Sequence, residues 1–325
     1  MSHRIELRAI QYFLCLLLAG GIFPSSAQVQ FPDHSIRLIV PLAPGGGGDI
    51  VARLIATRTQ AVLEQPIVVE NKPGGATVIG TDFVAKAAPD GYTLLMATSS
   101  HVINGNFVRL PFDPIKDFVG VTIIGTTPLV LTVNAAFPAQ TFKEFLALAA
   151  TKKDGLTYAS SGLGSMPHLS GEMLARVGNL NLTHIPYKGG GPAEAGLLGA
   201  QVDMYFASPP SIVEQVKAKK LRALAMSGET RMSMFPDVPT IAETFEGFDA
   251  GSFYAILAPL GTPQAILNKL GVAIKRATDT PEAKEQLLRL GIAVTNHSSV
   301  DTMKYIDRQI QQWRKVVSVG NIKVD

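Results

Sequence analysis

Ile36-Arg37-Leu38-Ile39-Val40-Pro41-Leu42-Ala43-Pro44-Gly45-Gly46-Gly47-Gly48-Asp49 is an apolar strand that runs into a four-glycine turn and then opens a helix. Without Cβ atoms, several backbone N–H groups can point into one small space. The helix that follows adds its unpaired N-terminal donors and the positive end of its dipole. Such a turn can hold an anion.

Working outward, strand, turn and helix repeat along the chain. Ile50, Val51, Leu54, Ile55 and Val62 recur at helical spacing behind Asp49, which is placed as the N-cap. Ile67 to Val69 reads as the next strand, and Phe83 to Ala88 as a short helix. Pro89-Asp90-Gly91 then turns the chain into a strand from Tyr92 to Ala97. Strands this apolar are expected to be buried on both faces, in a parallel sheet covered by helices. A second series begins near Leu129, with strands expected at 129–133, 156–159, 182–185, 202–206 and 223–226. Thr141-Phe142-Lys143-Glu144 reads as a capping box between the first two. Phe253 to Ala258 is a further apolar run. Met303, Ile306, Ile310, Trp313 and Val317 then form the core-facing stripe of a last helix. The runs Thr127 to Val133 and Ser252 to Ala258 bracket the second series, so a chain that leaves the first domain in one and returns in the other is the economical arrangement. The expected domains are 28–128 with 254–325, and 129–253, joined by a hinge of two crossings.

The first 27 residues read as a signal peptide: His3, Arg4 and Arg8, an apolar run from Ala9 to Phe23, then Ser25-Ser26-Ala27. Export to the periplasm with cleavage after Ala27 is expected, leaving 298 residues, enough for two domains at about 150 each. Cys15, the only cysteine, would leave with that segment, so neither a disulfide nor a thiolate metal site is expected. The formal charge of +3 becomes +2, with 27 basic against 25 acidic side chains and no Lys/Arg run. That balance argues against nucleic acid and against a polybasic membrane patch.

Polar or glycine-rich turns follow most strands: Thr98-Ser99-Ser100-His101, Ser160-Ser161-Gly162-Leu163-Gly164-Ser165 and Tyr187-Lys188-Gly189-Gly190-Gly191. Ligands of open α/β sheets bind outside the carboxyl ends of strands, so several such turns from two domains would line one cleft. A nucleotide phosphate fits poorly. The first turn is not G-x-x-x-x-G-K-[ST], it lacks G-x-G-x-x-G spacing, and Asp49 would repel a pyrophosphate. A carboxylate, which N–H and O–H donors alone can satisfy, fits better. The alternative is a secreted serine hydrolase, since Ser160, Ser161, Ser165, His168 and Asp203 include every member of a triad. Against it, Gly164-Ser165-Met166-Pro167-His168 is no G-x-S-x-G elbow. His168 reads instead as a cap or structural hydrogen-bonding residue. His101, His168, His184 and His297 lack paired metal-ligand spacing, so no metal and no cofactor are expected.

Pro41-Leu42-Ala43-Pro44-Gly45-Gly46, Val69-Glu70-Asn71-Lys72-Pro73-Gly74, Ala88-Pro89-Asp90-Gly91-Tyr92-Thr93-Leu94-Leu95, Pro186-Tyr187-Lys188-Gly189-Gly190-Gly191-Pro192-Ala193 and Pro236-Asp237-Val238-Pro239-Thr240 together resemble the Bug family, the extracytoplasmic solute receptors of tripartite tricarboxylate transporters. The resemblance runs in order from about Phe31 to beyond Pro263. It implies an α/β fold of the type II periplasmic-binding-protein kind. Two domains would close on a small carboxylate and deliver it to membrane permease subunits; a sensor's input protein is the alternative partner role, and a monomer is expected. It also implies the ligand-binding residues: Ala43, Gly45, Gly46, Gly47, Gly48, Asp49, Thr98 and Ser99 from the first domain, and Ser161, Gly164, Ser165, His168, Tyr187, Lys188, Gly189, the end of the strand 202–206 and Ala207 from the second. Against the family pattern, Gly47-Gly48 stand where a hydroxyl residue is common and Ala207 stands where an aspartate often follows the strand. Losing that acid favours a non-amino dicarboxylate or an aromatic carboxylate over an amino acid.

Overall fold

The computed structural model describes residues 31–320; the expected signal peptide, 1–27, lies outside the described residues. In chain order the elements are β1 (Ile36–Val40), α1 (Gly47–Leu63), β2 (Ile67–Asn71), α2 (Val78–Ala85), β3 (Thr93–Thr98), α3 (Ser100–Ile103), β4 (Phe118–Thr127) and β5 (Val130–Asn134). They continue with α4 (Phe142–Thr151), β6 (Leu156–Ser160), α5 (Met166–Val177), β7 (Leu182–Pro186), α6 (Gly190–Leu198), β8 (Met204–Ala207), α7 (Pro209–Lys217) and β9 (Leu221–Met226). The last are β10 (Ser252–Pro259), α8 (Gln264–Thr278), α9 (Pro281–Arg289), β11 (Ala293–Val294) and α10 (Ser299–Gly320).

These strands form two sheets, ordered β11-β4-β10-β3-β1-β2 and β7-β6-β8-β5-β9. The expectation of parallel sheets holds only in part. β1 runs parallel to β2 and β3, and β6 to β7 and β8, where helices make the connections. β10 is antiparallel to β3 and β4, and β5 to β8 and β9. Each enters its sheet from the other sheet rather than through a helical crossover, so the handed βαβ connection does not set its direction.

The chain crosses outward between Thr127 and Val130, and returns between Met226 and Ser252. Ser227 ties the two crossings together. Its hydroxyl donates to the Ala250 carbonyl (2.7 Å) and accepts from the Leu129 N–H (2.8 Å), while its backbone bonds to both residues.

Other expectations shift locally. The short helix expected to hold Phe83 to Ala88 spans Val78–Ala85, following a left-handed turn at Thr77 and ending before Ala88. Strand β4 was absent from the sequence pattern. Its Gly120 and Gly125 interrupt the apolar run because Thr302 and the Ala293 carbonyl press against them, leaving no room for a Cβ. At α4, Thr141 accepts from the Glu144 N–H, but the Glu144 carboxylate takes the Gln140 N–H, one residue outside the box. The last helix behaves as its stripe predicts: Ile306 and Trp313 are buried, with Met303, Ile310 and Val317 packed beside the core. Each such side chain contributes about 1.5–3 kcal/mol by leaving water.

Candidate ligand-binding site

The glycine turn after β1 is held from behind by Asp49. The expected N-cap role is corrected: Gly46 is the N-cap of α1 and Asp49 lies within the first turn, from where its carboxylate reaches back to accept the Gly45 N–H (3.0 Å). Arg53 donates to the same carboxylate, one turn along the helix. Asn71, at the end of β2, donates to it at 3.0 Å and also to the Leu42 carbonyl. Burial pushes the Asp49 carboxyl up, but the bonds from Arg53, Gly45 and Asn71 outweigh it and hold the pKa below the ordinary value. Asp49 is therefore occupied in shaping the turn. Gly45, at φ 83°, takes a conformation that side chains disfavour.

In front of this turn lies a cavity of about 40 Å3, between the carboxyl ends of the two sheets. From the first sheet it is lined by Gly46, Gly47, Gly48, Thr98, Ser99 and Ser100, with Leu42 beside them. From the second come Ser161, Met166, Pro167, Gly190, Tyr205 and Ser208; Leu129, Ser252 and Tyr254 arrive on the crossing segments. Five helices start here. Gly47, Ser100, Met166 and Gly190 are the first residues of α1, α3, α5 and α6, and Ser208 is the N-cap of α7. None of the five N-caps has a side-chain hydrogen bond to its helix. Among the described residues, no charged side chain lines the cavity. A wall of helix N-termini and hydroxyls attracts anions through partial charges and hydrogen bonds alone.

The two glycine turns touch across the cavity. A Cβ on Gly46 would come within 3.3 Å of Gly190 Cα, and one on Gly189 within 2.8 Å of Ala43 Cβ. A Cβ on Gly191 would strike the Pro44 carbonyl oxygen. Backbone meets backbone here, which only glycines allow.

Behind the second wall, Ser165 and His168 do not form a nucleophile–base pair. The His168 Nδ1 accepts the Gly164 N–H at 3.2 Å, and the buried Ser165 Oγ has no hydrogen-bond partner. His168 stacks on His184 with ring centroids 4.1 Å apart, and His184 Nε2 meets Ser160 Oγ at 2.6 Å. Burial, with His184 beside it, lowers the His168 pKa to about 3; burial lowers that of His184 to about 4. Both rings are neutral and structural, supporting the turn Gly162–Ser165 from within.

A family model described as the tripartite tricarboxylate transporter family receptor matches residues 51–322. The chain belongs to that receptor family. Protein BugT of Bordetella pertussis is 36% identical to it over 320 residues, covering 95% of this chain and 98% of its own. Among solved structures, MatC from Rhodopseudomonas palustris with bound malate is 33% identical, with a TM-score of 0.82 over 88% of this chain and all of that one. An R. palustris protein solved with adipate is 28% identical, with a TM-score of 0.87 over 90% and 99%. The fold is that of the periplasmic binding proteins, and the chain is a solute-binding receptor rather than an enzyme.

Of the residues anticipated for the receptor's site, Gly46, Gly47, Gly48, Thr98, Ser99 and Ser161 line the cavity. Ala43, Gly45 and Gly189 stand in the touching turns, and Gly164, Ser165 and His168 behind the wall. Tyr187 lies apart, its ring packed on Gly196, and Lys188 is exposed. Ala207 is fully buried in β8 opposite Val130; the next residue, Ser208, reaches the cavity instead. Tyr205, at the end of the strand 202–206, lines the cavity in keeping with the resemblance; Ser208, Ser252 and Tyr254 are lining residues that it does not imply. A sequence signal existed for Ser208, which precedes Pro209-Pro210 after a strand, the composition of a helix start. Tyr254 sits inside an apolar strand and reads as core. Roomier grooves, of about 580 and 530 Å3, lie elsewhere, and charged side chains line both.

Proposed function

We propose that the receptor captures a small non-amino dicarboxylate in the cavity between its two sheets and passes it to the membrane permease subunits of a tripartite tricarboxylate transporter. It acts in the periplasm as a monomer, after loss of residues 1–27. The two lobes, 28–128 with 254–325 and 129–253, close about the paired crossings. The observation that carries this reading is the cavity wall: five uncapped helix N-termini and a set of hydroxyls, without one charged side chain among the described residues. Charge-assisted hydrogen bonds of about 1.5–3 kcal/mol each suffice to hold a carboxylate there. The absence of an acidic side chain leaves an ammonium without a partner, which disfavours amino acids. An open volume of about 40 Å3 holds on the order of three waters, so a compact acid fits this closed form better than a long or aromatic one. Malate and adipate in the related structures support the dicarboxylate class.

Calorimetry with malate, succinate, malonate, adipate, benzoate and glutamate tests the reading. Saturable one-to-one heats are expected for the three- and four-carbon diacids, weaker ones for adipate and benzoate, and none for glutamate. Glutamate binding as tightly as succinate, or no heat from any diacid, would overturn it.

A further inference from the structure

Gly47 opens α1 and carries no hydroxyl where one would serve an anion. The structure explains why it is bare. A Cβ at Gly47 would come within 2.6 Å of Ser208 Cβ, 2.9 Å of Ser208 Oγ and 2.8 Å of the Tyr254 hydroxyl oxygen. Two hydroxyls, one from the start of α7 and one from the returning strand β10, occupy the space that a side chain at 47 would take. Both line the cavity.

Tyr254 is only 2% exposed, yet its hydroxyl has no hydrogen-bond partner among the described residues. The Ser208 hydroxyl beside it pulls the phenol pKa down without meeting hydrogen-bond geometry; burial prevails and pushes the pKa up to about 12. The phenol is thus neutral and keeps its proton at physiological pH. A buried donor without a partner is costly, and such groups in native proteins call for an explanation. Here the explanation is a ligand oxygen.

We infer that the Tyr254 and Ser208 hydroxyls, which fill the place a side chain at residue 47 would take, jointly hold one ligand carboxylate over the N-terminus of α1. This rests on the proposed carboxylate-binding function and adds the residues that read the ligand. Tyr254 sits in β10, the strand by which the chain returns to the first sheet, and Ser208 belongs to the second sheet's side. One carboxylate bridging them would hold the two sheets in the arrangement seen here.

The test is calorimetry and thermal melting of wild type, Tyr254→Phe, Ser208→Ala and the double variant, with malate, succinate and malonate as probes. Tyr254→Phe is expected to weaken the diacids roughly 10- to 100-fold, the range for one hydrogen bond to a charged group. Its ligand-free melting temperature should not fall, because the lost hydroxyl bonds to nothing among the described residues. Ser208→Ala should also weaken binding, and the double variant by a factor different from the product of the two, as groups sharing one carboxylate require. Unchanged affinity in Tyr254→Phe beside a binding wild type would overturn the inference and leave the receptor reading standing. A lower melting temperature matching the affinity loss would make Tyr254 structural and overturn it as well. A wild type that binds none of the three acids defeats the proposed function, and this assignment with it.

Discussion

The two glycine turns that meet across the cavity are built in opposite ways. The turn Pro44–Gly48 is braced from behind: Asp49, itself tied to Arg53 and Asn71, grips the Gly45 N–H. Among the described residues, the turn Lys188–Gly191 has no such brace. Its N-cap is Gly189 at φ 121°, no side chain caps α6, and Lys188 is exposed. Both present helix N–H groups to the same space, so the difference lies in support rather than in chemistry. A braced turn keeps its donors in place before the ligand arrives, which lowers the ordering cost of binding. An unbraced one can close afterwards.

The largest effect expected from breaking this pairing comes from the unbraced side. Gly191→Ala places a methyl against the Pro44 carbonyl, a clash that exists only while the turns touch. Overpacking of this kind costs about 1–3 kcal/mol, so diacid affinity should fall roughly 10- to 100-fold by calorimetry while the ligand-free melting temperature stays put. A fall in melting temperature without loss of affinity would show that closure does not bring these turns together.

Breaking the brace should instead cost the fold. Asp49→Asn removes the charge that Arg53 answers and weakens the grip on Gly45. Because Arg53 is half exposed, the loss should be about 1–2 kcal/mol in urea unfolding, accompanied by weaker binding. Full stability with full affinity would mean the turn holds its shape without Asp49.

The braced turn was legible in the sequence and the meeting of the two turns was not. Strand β1 appears with the limits its apolar run implies, and Gly46 to Gly48, Thr98, Ser99 and Ser161 follow from their places after strands. Periodicity reports which way a side chain faces within its own element. It does not report which element lies opposite. Tyr254 therefore reads as core, and Asp49 as an N-cap or ligand contact, since the reach of its carboxylate back to Gly45 is a matter of three-dimensional geometry. The antiparallel β5 and β10 escaped for a related reason: an apolar strand reads alike in both directions.

Acid should separate the supports of the two cavity walls. His168 and His184, with folded pKa values of about 3 and 4 against 6.5 unfolded, stabilise the second wall fully above pH 6.5, and that stability is lost progressively as pH falls from 6.5 to about 3. Protonating His168 Nδ1 also removes the acceptor of the Gly164 N–H. Asp49 is depressed in the carboxylate range, so its contribution persists above pH 3.8 and fades only below it. Between pH 6.5 and 4, amide-exchange protection corrected for intrinsic rate should fall at Gly164 while Gly45 keeps its own. Equal losses at both would show that the walls share one support.

The smallest expected effect is the sharpest check on recognition without cations. Lys188 is the one basic side chain in the second turn, and it is exposed. If N–H and O–H donors hold the carboxylate, Lys188→Ala should change affinity less than about threefold, the scale of a surface substitution of up to roughly 0.5 kcal/mol. Any effect should appear in the association rate and shrink with added salt, as distant charge steering does. A loss that persists at high salt and raises the dissociation rate would place the ammonium on the ligand. The second turn would then bind by charge and the first by backbone, and the two would differ in chemistry as well as in support.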